Sequence, residues 1–305
     1  MKKRNRILLV GLLAVVLGGL GWLVVRSQSE RLIQGKTEAA WIKSINYNGG
    51  SAETEQWRAL GPVGIQMLIH ALNAGNGPLE SRYARLWPRL PPFIRSRLPT
   101  PVDSYPTRMC AVSMLNRLEP DAKSAVPALV KALKKEKTDG GRQSIIGCFS
   151  FEYGLLNGME KEKAELLPDL IGAMQSSDWG IRNNAALALG CYSERAQVVT
   201  PVLLNATRDP VIHVRLAALM ALSRVDPKTL AKPEVVQIVI DLLKGPDDQV
   251  GFEAALLLGQ IGKESPLAVP ALIESARGTN SLVAQTAARA LKRIDPEAAA
   301  QAGVK

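Results

Sequence analysis

Two short phrases recur along this chain at a constant separation, and that spacing limits the fold more than any other feature. The first phrase is proline, any residue, leucine and an aliphatic. It reads "PALV" from Pro127, "PDLI" from Pro168, "PVLL" from Pro201 and "PALI" from Pro270, with "QIVI" from Gln237 and "QMLI" from Gln66 as variants. The second is an arginine followed by small residues, as in "IRNNAALALG" (181–190) and "VRLAALMALS" (214–223). Its arginine position falls at Arg108, Arg142, Arg182, Arg215, Gly251 and Ala284. The two phrases lie 14 residues apart from Pro168, Pro201, Gln237 and Pro270, and 15 apart from Pro127. A fixed offset with variable gaps elsewhere marks one structural unit repeated, which is how a stacked array is written in sequence.

Each phrase reads as an amphipathic helix. Around Pro168, the residues Leu166, Leu167, Leu170, Ile171 and Met174 fall on one helical stripe. Proline near the start of such a helix is tolerated, because a first-turn N–H has no intrahelical acceptor to lose. Aromatics make up 5% of the chain against 47% hydrophobic residues, with Ala and Leu prominent. That balance favours helices over strands. Between the phrases lie polar turns, "SSDWG", "TRDP", "GPDD" and "GTNS". In them Asp178, Asp209, Asp247 or Asp248, and Asn280 are placed to cap the following helix by accepting its orphan N–H groups. In that second helix Ala185, Ala186 and Ala188, or Ala217, Ala218 and Ala221, present small faces that let neighbouring helices approach closely.

A helix carrying "PxLI", an Asp turn, then "VRxxAAxALG" resembles the HEAT repeat, especially its short phycobilin-lyase-like variety. Residues 105–295 carry the resemblance, and Trp57–Leu72, within residues 51–74, looks like a degenerate first unit. The resemblance implies an all-α fold, a right-handed α-solenoid of HEAT-like helix pairs. It also implies a structural ladder between repeats, in which the turn Asp of one unit meets the second-helix Arg of another. That role falls on Asp178, Arg182, Asp209 and Arg215. Gly251 and Ala284 depart from the Arg position, so the ladder is expected to fade toward the C-terminus.

The offset rule also locates insertions. Arg142 to Pro168 is 26 residues where Arg182 to Pro201 is 19, so seven extra residues lie in "FSFEYGLLNGMEKEK". Upstream, Gln66 plus 14 predicts an arginine position at residue 80, yet it falls at Arg108. The resulting insert is residues 75–104; its stretch 75–101 holds Arg82, Arg85, Arg89, Arg95 and Arg97 against one acid, Glu80, with Tyr83, Trp87 and Phe93 interleaved. Pro88, Pro91, Pro92, Pro99 and Pro101 forbid a long helix there and leave room for short turns at 82–87 and 92–97. Two readings follow. Arg82, Arg85, Trp87, Arg89, Arg95 and Arg97 form a loop that recognises an anionic surface (lipid headgroups, an acidic protein face or an acidic glycan), since arginine offers forked hydrogen bonds and stacks on aromatics. Alternatively the insert is a strap whose aromatics pack on the end of the solenoid.

The N-terminus predicts a membrane address. A basic tip, residues 1–6, precedes nineteen uncharged residues from Ile7 to Val25. At a rise of ~1.5 Å per residue this run spans about 28 Å, close to a hydrocarbon core of ~30 Å. A secretory signal has a shorter apolar core and a small-residue cleavage site; Ser27-Gln28-Ser29 matches one only fairly. The expectation is therefore one N-terminal transmembrane helix ahead of the solenoid, with secretion after cleavage as the alternative. Lys2, Lys3, Arg4 and Arg6 place the N-terminus in the cytoplasm and the solenoid outside it. Residues 26–50 form a linker with a short helix at 34–45, and residues 296–305 a C-terminal tail. The Gly-Lys/Trp arrangement of the linker, with the Arg/Pro-rich insert, resembles bacterial membrane-anchored HEAT proteins of unassigned function.

Chemistry-bearing motifs are sparse. The net charge of +10 includes +4 from the tip, and the remainder is mixed with acids. A DNA-binding solenoid would need a continuous basic groove on the cytoplasmic side, so no nucleic-acid partner is expected. Cys110, Cys148 and Cys191 are scattered, with no CxxC. His70 and His213 lie in distant repeats and neither precedes Glu, whereas a HEAT-like di-iron hydroxylase needs several His-Glu pairs. No metal, cofactor or catalytic residue is expected. The sequence reads as a membrane-anchored scaffold that binds an unidentified protein through its solenoid surface. The alternatives are a HEAT-like enzyme of lyase or hydroxylase type and, behind it, a nucleic-acid-binding solenoid.

Overall fold

The computed structural model describes residues 32–46, 49–73, 82–83, 85–98, 100, 104–150, 154–278 and 281–303. The apolar run Ile7–Val25 lies outside these residues. Among the described residues no helix is long and apolar enough to cross a membrane.

The described residues fold almost wholly into helices and the turns that join them. A short α1 (Glu38–Lys43) and α2 (Ser51–Arg58) precede α3 (Gly61–Leu72). The insert contributes a 3-10 turn at Trp87–Arg89 and the four-residue α4 (Pro92–Arg95). Then come α5 (Tyr105–Arg117), α6 (Val126–Lys135), α7 (Asp139–Gly147), α8 (Glu160–Ala173), α9 (Trp179–Leu189), α10 (Ala196–Ala206) and α11 (Ile212–Val225). A four-residue α12 (Pro227–Leu230) leads to α13 (Pro233–Leu243), α14 (Asp248–Ile261), α15 (Ala268–Ala276), α16 (Ser281–Ile294) and α17 (Pro296–Gln301).

These helices form pairs: α3 with α5, α6 with α7, α8 with α9, α10 with α11, α13 with α14, and α15 with α16. Second helices stack on one another along the array, α5 on α7, α7 on α9, α9 on α11, α11 on α14 and α14 on α16. The alanines explain how they approach so closely. Ala185, Ala186, Ala188, Ala218, Ala221, Ala254, Ala255 and Ala287 are wholly buried. Gly259 is the limiting case: a Cβ there would lie 2.9 Å from the Ala290 Cβ. First helices are bulkier and looser. Beside α10, a groove of about 640 Å³ separates it from α8, and one of about 370 Å³ separates it from α13.

Leu170 and Leu203 of the first-helix stripes are 0% exposed and belong to one core that runs the length of the array. Two of the phrase prolines differ from their expected place. Pro168 is the ninth residue of α8 and Pro201 the sixth of α10. Both helices begin a turn or more upstream, where Leu166 of α8 and Val199 of α10 are wholly buried in the shared core ahead of the proline. Each ring there removes one i→i−4 hydrogen bond from a helix that packing sustains. Pro127 and Pro270 do sit in the first turn.

The N-terminal end is closed by α1 and α2. Trp41 meets Trp57 edge-to-face at 5.6 Å, and the Trp41 indole donates to the Ile33 carbonyl at 2.8 Å. Arg117, in the last turn of α5, donates to the carbonyls of Gly49 and Asn46 and to the Glu53 carboxylate.

Candidate functional site

The turns between paired helices build the ladder, and its rungs are unequal. Asp178 caps α9, accepting from the Ile181 N–H at 3.0 Å. Arg182 grips the next unit: Nε and Nη2 reach Asp209 Oδ2 and Oδ1 at 2.7 and 2.9 Å, while Nη1 donates to the carbonyls of Ser176 and Ser177. The Arg182 hydrogen bond holds the Asp209 carboxyl below its usual range against the opposing effect of burial, and raises the Arg182 guanidinium in return. Asp209 does not occupy the N-cap; Val211 does, and Asp209 accepts from the Val211 N–H at 2.9 Å. Arg215 stays within its own turn, donating to the carbonyls of Asp209 and Pro210. Asp247, not Asp248, caps α14, and Asn280 lies outside the described residues.

Sequence reasoning missed an earlier rung. Arg108 reaches Glu136 at 3.4 Å, in the turn after α6. Burial would raise the Glu136 carboxyl, but hydrogen bonds from Thr138 and Lys137 and the Arg108 charge hold it low. A glutamate in place of an Asp, two residues before the N-cap Thr138, hid this rung from a search for turn aspartates.

The insert is more open than a strap. None of its described apolar residues belongs to the core or packs against it. Tyr83 and Trp87 meet edge-to-face at 5.6 Å, Leu86 is 53% exposed and Phe93 68%. Arg82, Arg85, Arg89 and Arg97 are exposed; Arg95 is half-buried. The structure therefore brings the arginines to the surface and does not seat Trp87 in the solenoid end.

A second surface was not singled out from sequence. On the second-helix face a groove of about 440 Å³ lies between α11 and α14, with Pro227 and Leu230 of α12 also in its wall. Met220, Arg224, Leu230, Glu253, Leu256 and Gln260 line it. The signal was present: Arg215 to Gln237 is 22 residues, three more than the usual 19, and the excess forms α12. Its cap comes from a further recurrent phrase, arginine, aliphatic, acid, proline, at 117–120, 224–227 and 293–296. Asp226 and Asp295 cap α12 and α17, accepting from the N–H groups of Thr229 and Ala298. Glu119 stands in the same place, but both its carboxylate oxygens are buried without a hydrogen-bond partner, and burial pushes its carboxyl up to about 8.

The histidines stay apart. His70 lies 3.1 Å from Glu38, and His213 stacks obliquely on Trp179 at 5.8 Å. All three cysteines are free, and burial pushes the Cys191 thiol up to about 11 and Cys148 higher still. Among the described residues no three potential ligands gather to hold a metal.

Paired helices in register, stacked into two layers and stitched through their turns, define a helical-repeat solenoid. Residues 200–292 match a family described as HEAT repeats, and the fold is an all-α HEAT-repeat solenoid. Among solved structures the chain is similar to an engineered protein (19% identity, 85% of this chain and 90% of that one, TM-score 0.40). It is also similar to the CpcE–CpcF complex of phycocyanin lyase from a Nostoc species (17% identity, 87% and 97%, TM-score 0.46). A third likeness is to a mutant of Kap121p (16% identity, TM-score 0.31), of which the match spans 37% while covering 84% of this chain. No curated protein matches the chain.

Proposed function

We propose that this chain is a membrane-tethered scaffold that binds a segment of another protein along its second-helix face, without catalysis. The observation that carries the reading is the groove between α11 and α14. It combines apolar ground (Met220, Leu230, Leu256) with charged and amide groups (Arg224, Glu253, Gln260). That mixture suits an extended peptide or a helix face, with apolar anchors giving affinity and polar groups fixing register. The tether is the uncharged run Ile7–Val25, with four basic residues ahead of it keeping the N-terminus cytoplasmic and the solenoid outside.

The test is affinity capture from detergent-solubilised membranes with the full chain and with Leu256→Asp. Leu256 is 38% exposed, so the substitution puts a charge into the groove without emptying the core. Proteins retained by the wild type should be lost from the variant while its thermal unfolding is unchanged. A variant that retains the same proteins in the same yield refutes the groove as the binding site.

A further inference from the structure

We propose that the face of the insert formed by Arg82, Arg85, Leu86, Arg89, Phe93 and Arg97 lies on anionic lipid headgroups of the membrane into which the N-terminal segment runs. The proposal rests on the tether reading above. Three observations carry it. The first is charge: residues 82–98 contain five arginines and no acid. The second is the company those arginines keep. Phe93 and Leu86 stand exposed among them and the core claims none of the apolar residues here. Exposed aromatic and aliphatic tips between cations match the headgroup layer, which offers phosphates outside and acyl chain beneath. Arg95 adds a buried Nε with no acceptor among the described residues.

The third observation is position. Twelve residues separate Val25 from Glu38, the first residue of α1. Glu38 Oε1 lies 3.1 Å from His70 Nδ1, in the last turn of α3, and the insert leaves the fold just after α3. The chain thus arrives from the apolar run beside the point where it departs into the insert. An acidic protein face would match the charge, but the exposed Phe93 and the short linker that joins α1 to the apolar run favour lipid. The solenoid would then be fixed at two points and held at one angle to the bilayer, not swinging on a single linker.

The experiment uses the full chain reconstituted into two sets of vesicles, phosphatidylcholine alone and phosphatidylcholine with about a third phosphatidylglycerol. Flotation reports attachment, and trypsin cleavage after Arg85 or Arg89 in outward-facing molecules reports whether the insert is covered. Cleavage should be roughly tenfold slower on the anionic vesicles, should recover in high salt as exposed charges are screened, and should recover in Leu86→Ser/Phe93→Ser and in Arg82→Gln/Arg97→Gln. Thermal unfolding of both variants should match the wild type. Flotation with both vesicle types and equal cleavage on both overturns the insert proposal, leaves the tether standing and points to an acidic protein instead. Flotation with anionic vesicles alone supports the insert and overturns the tether. Flotation with neither overturns both.

Discussion

Replacing Asp209 by asparagine should destabilise the solenoid by about 2–3 kcal/mol at neutral pH. Both carboxylate oxygens take hydrogen bonds from Arg182, at 2.7 and 2.9 Å, and the two side chains are 13% and 10% exposed. Removing one partner from a buried pair costs ~3–5 kcal/mol, because the remaining charge is stranded. Here the stranding is partial. Arg182 Nη1 keeps the carbonyls of Ser176 and Ser177, which brings the figure to the lower end or below it. Asparagine keeps one oxygen for the Val211 N–H and Arg182 Nη2 but turns an NH2 donor toward Arg182 Nε, so the change removes the charge and one of the two Arg182 hydrogen bonds. Arg215→Met is the control: its hydrogen bonds go to backbone carbonyls in its own turn, and its loss should cost about 1 kcal/mol. The pH dependence has a defined sign. Hydrogen bonding to Arg182 holds the Asp209 carboxyl below its ordinary value. Its stabilisation is therefore complete above the unfolded value of ~3.9 and is lost as pH falls through the lower folded value. Urea unfolding of the full chain in mild detergent, followed by far-ultraviolet circular dichroism from pH 7 to 3, measures both. A wild-type-to-variant gap below ~0.5 kcal/mol at pH 7, or a gap that does not shrink below about pH 4, refutes the account.

Leu170→Ala and Leu203→Ala, each at a wholly buried position, should cost about 2–5 kcal/mol in the same urea titration. Gly259→Ala would gain ~1 kcal/mol of helix propensity but must displace Ala290, 2.9 Å from the new Cβ, at ~1–3 kcal/mol; calorimetry should show a net loss, and a raised melting temperature would contradict the close approach of α14 to α16. Burial raises the folded Glu119 carboxyl to about 8, so between its unfolded value of ~4.3 and about 8 the folded chain holds a proton that the unfolded chain has released. Stability should fall as pH rises through that window, and Glu119→Gln should remove the fall; parallel curves for the two proteins would sink the assignment.

The repeat was legible because it is written redundantly. The 14-residue offset survives where the arginine has become Gly251 or Ala284, since it is set by helix and turn lengths and not by a side chain. Helix starts were less legible. Pro168 and Pro201 look like first-turn residues, yet packing against neighbouring repeats sustains a turn or more ahead of each, and no local preference records that support. The groove was half legible: the three extra residues before Gln237 are in the sequence, but their folding into α12 depends on Asp226 capping Pro227–Leu230. Glu119 could not be read at all. It shares its phrase with two capping aspartates, and that its carboxylate is buried without a partner shows only in the folded chain.

The Arg182–Asp209 pair joins the second helix of one unit to the turn of the next, and both side chains are largely shielded from water. In an array where each unit touches only its neighbours, such a bond strengthens one joint and leaves the others as they were. At the joint of α14 with α16 the arginine positions are Gly251 and Ala284, which can form no such pair. Resistance to a pull along the array is therefore uneven, and the C-terminal units should part before the joint that Arg182 spans.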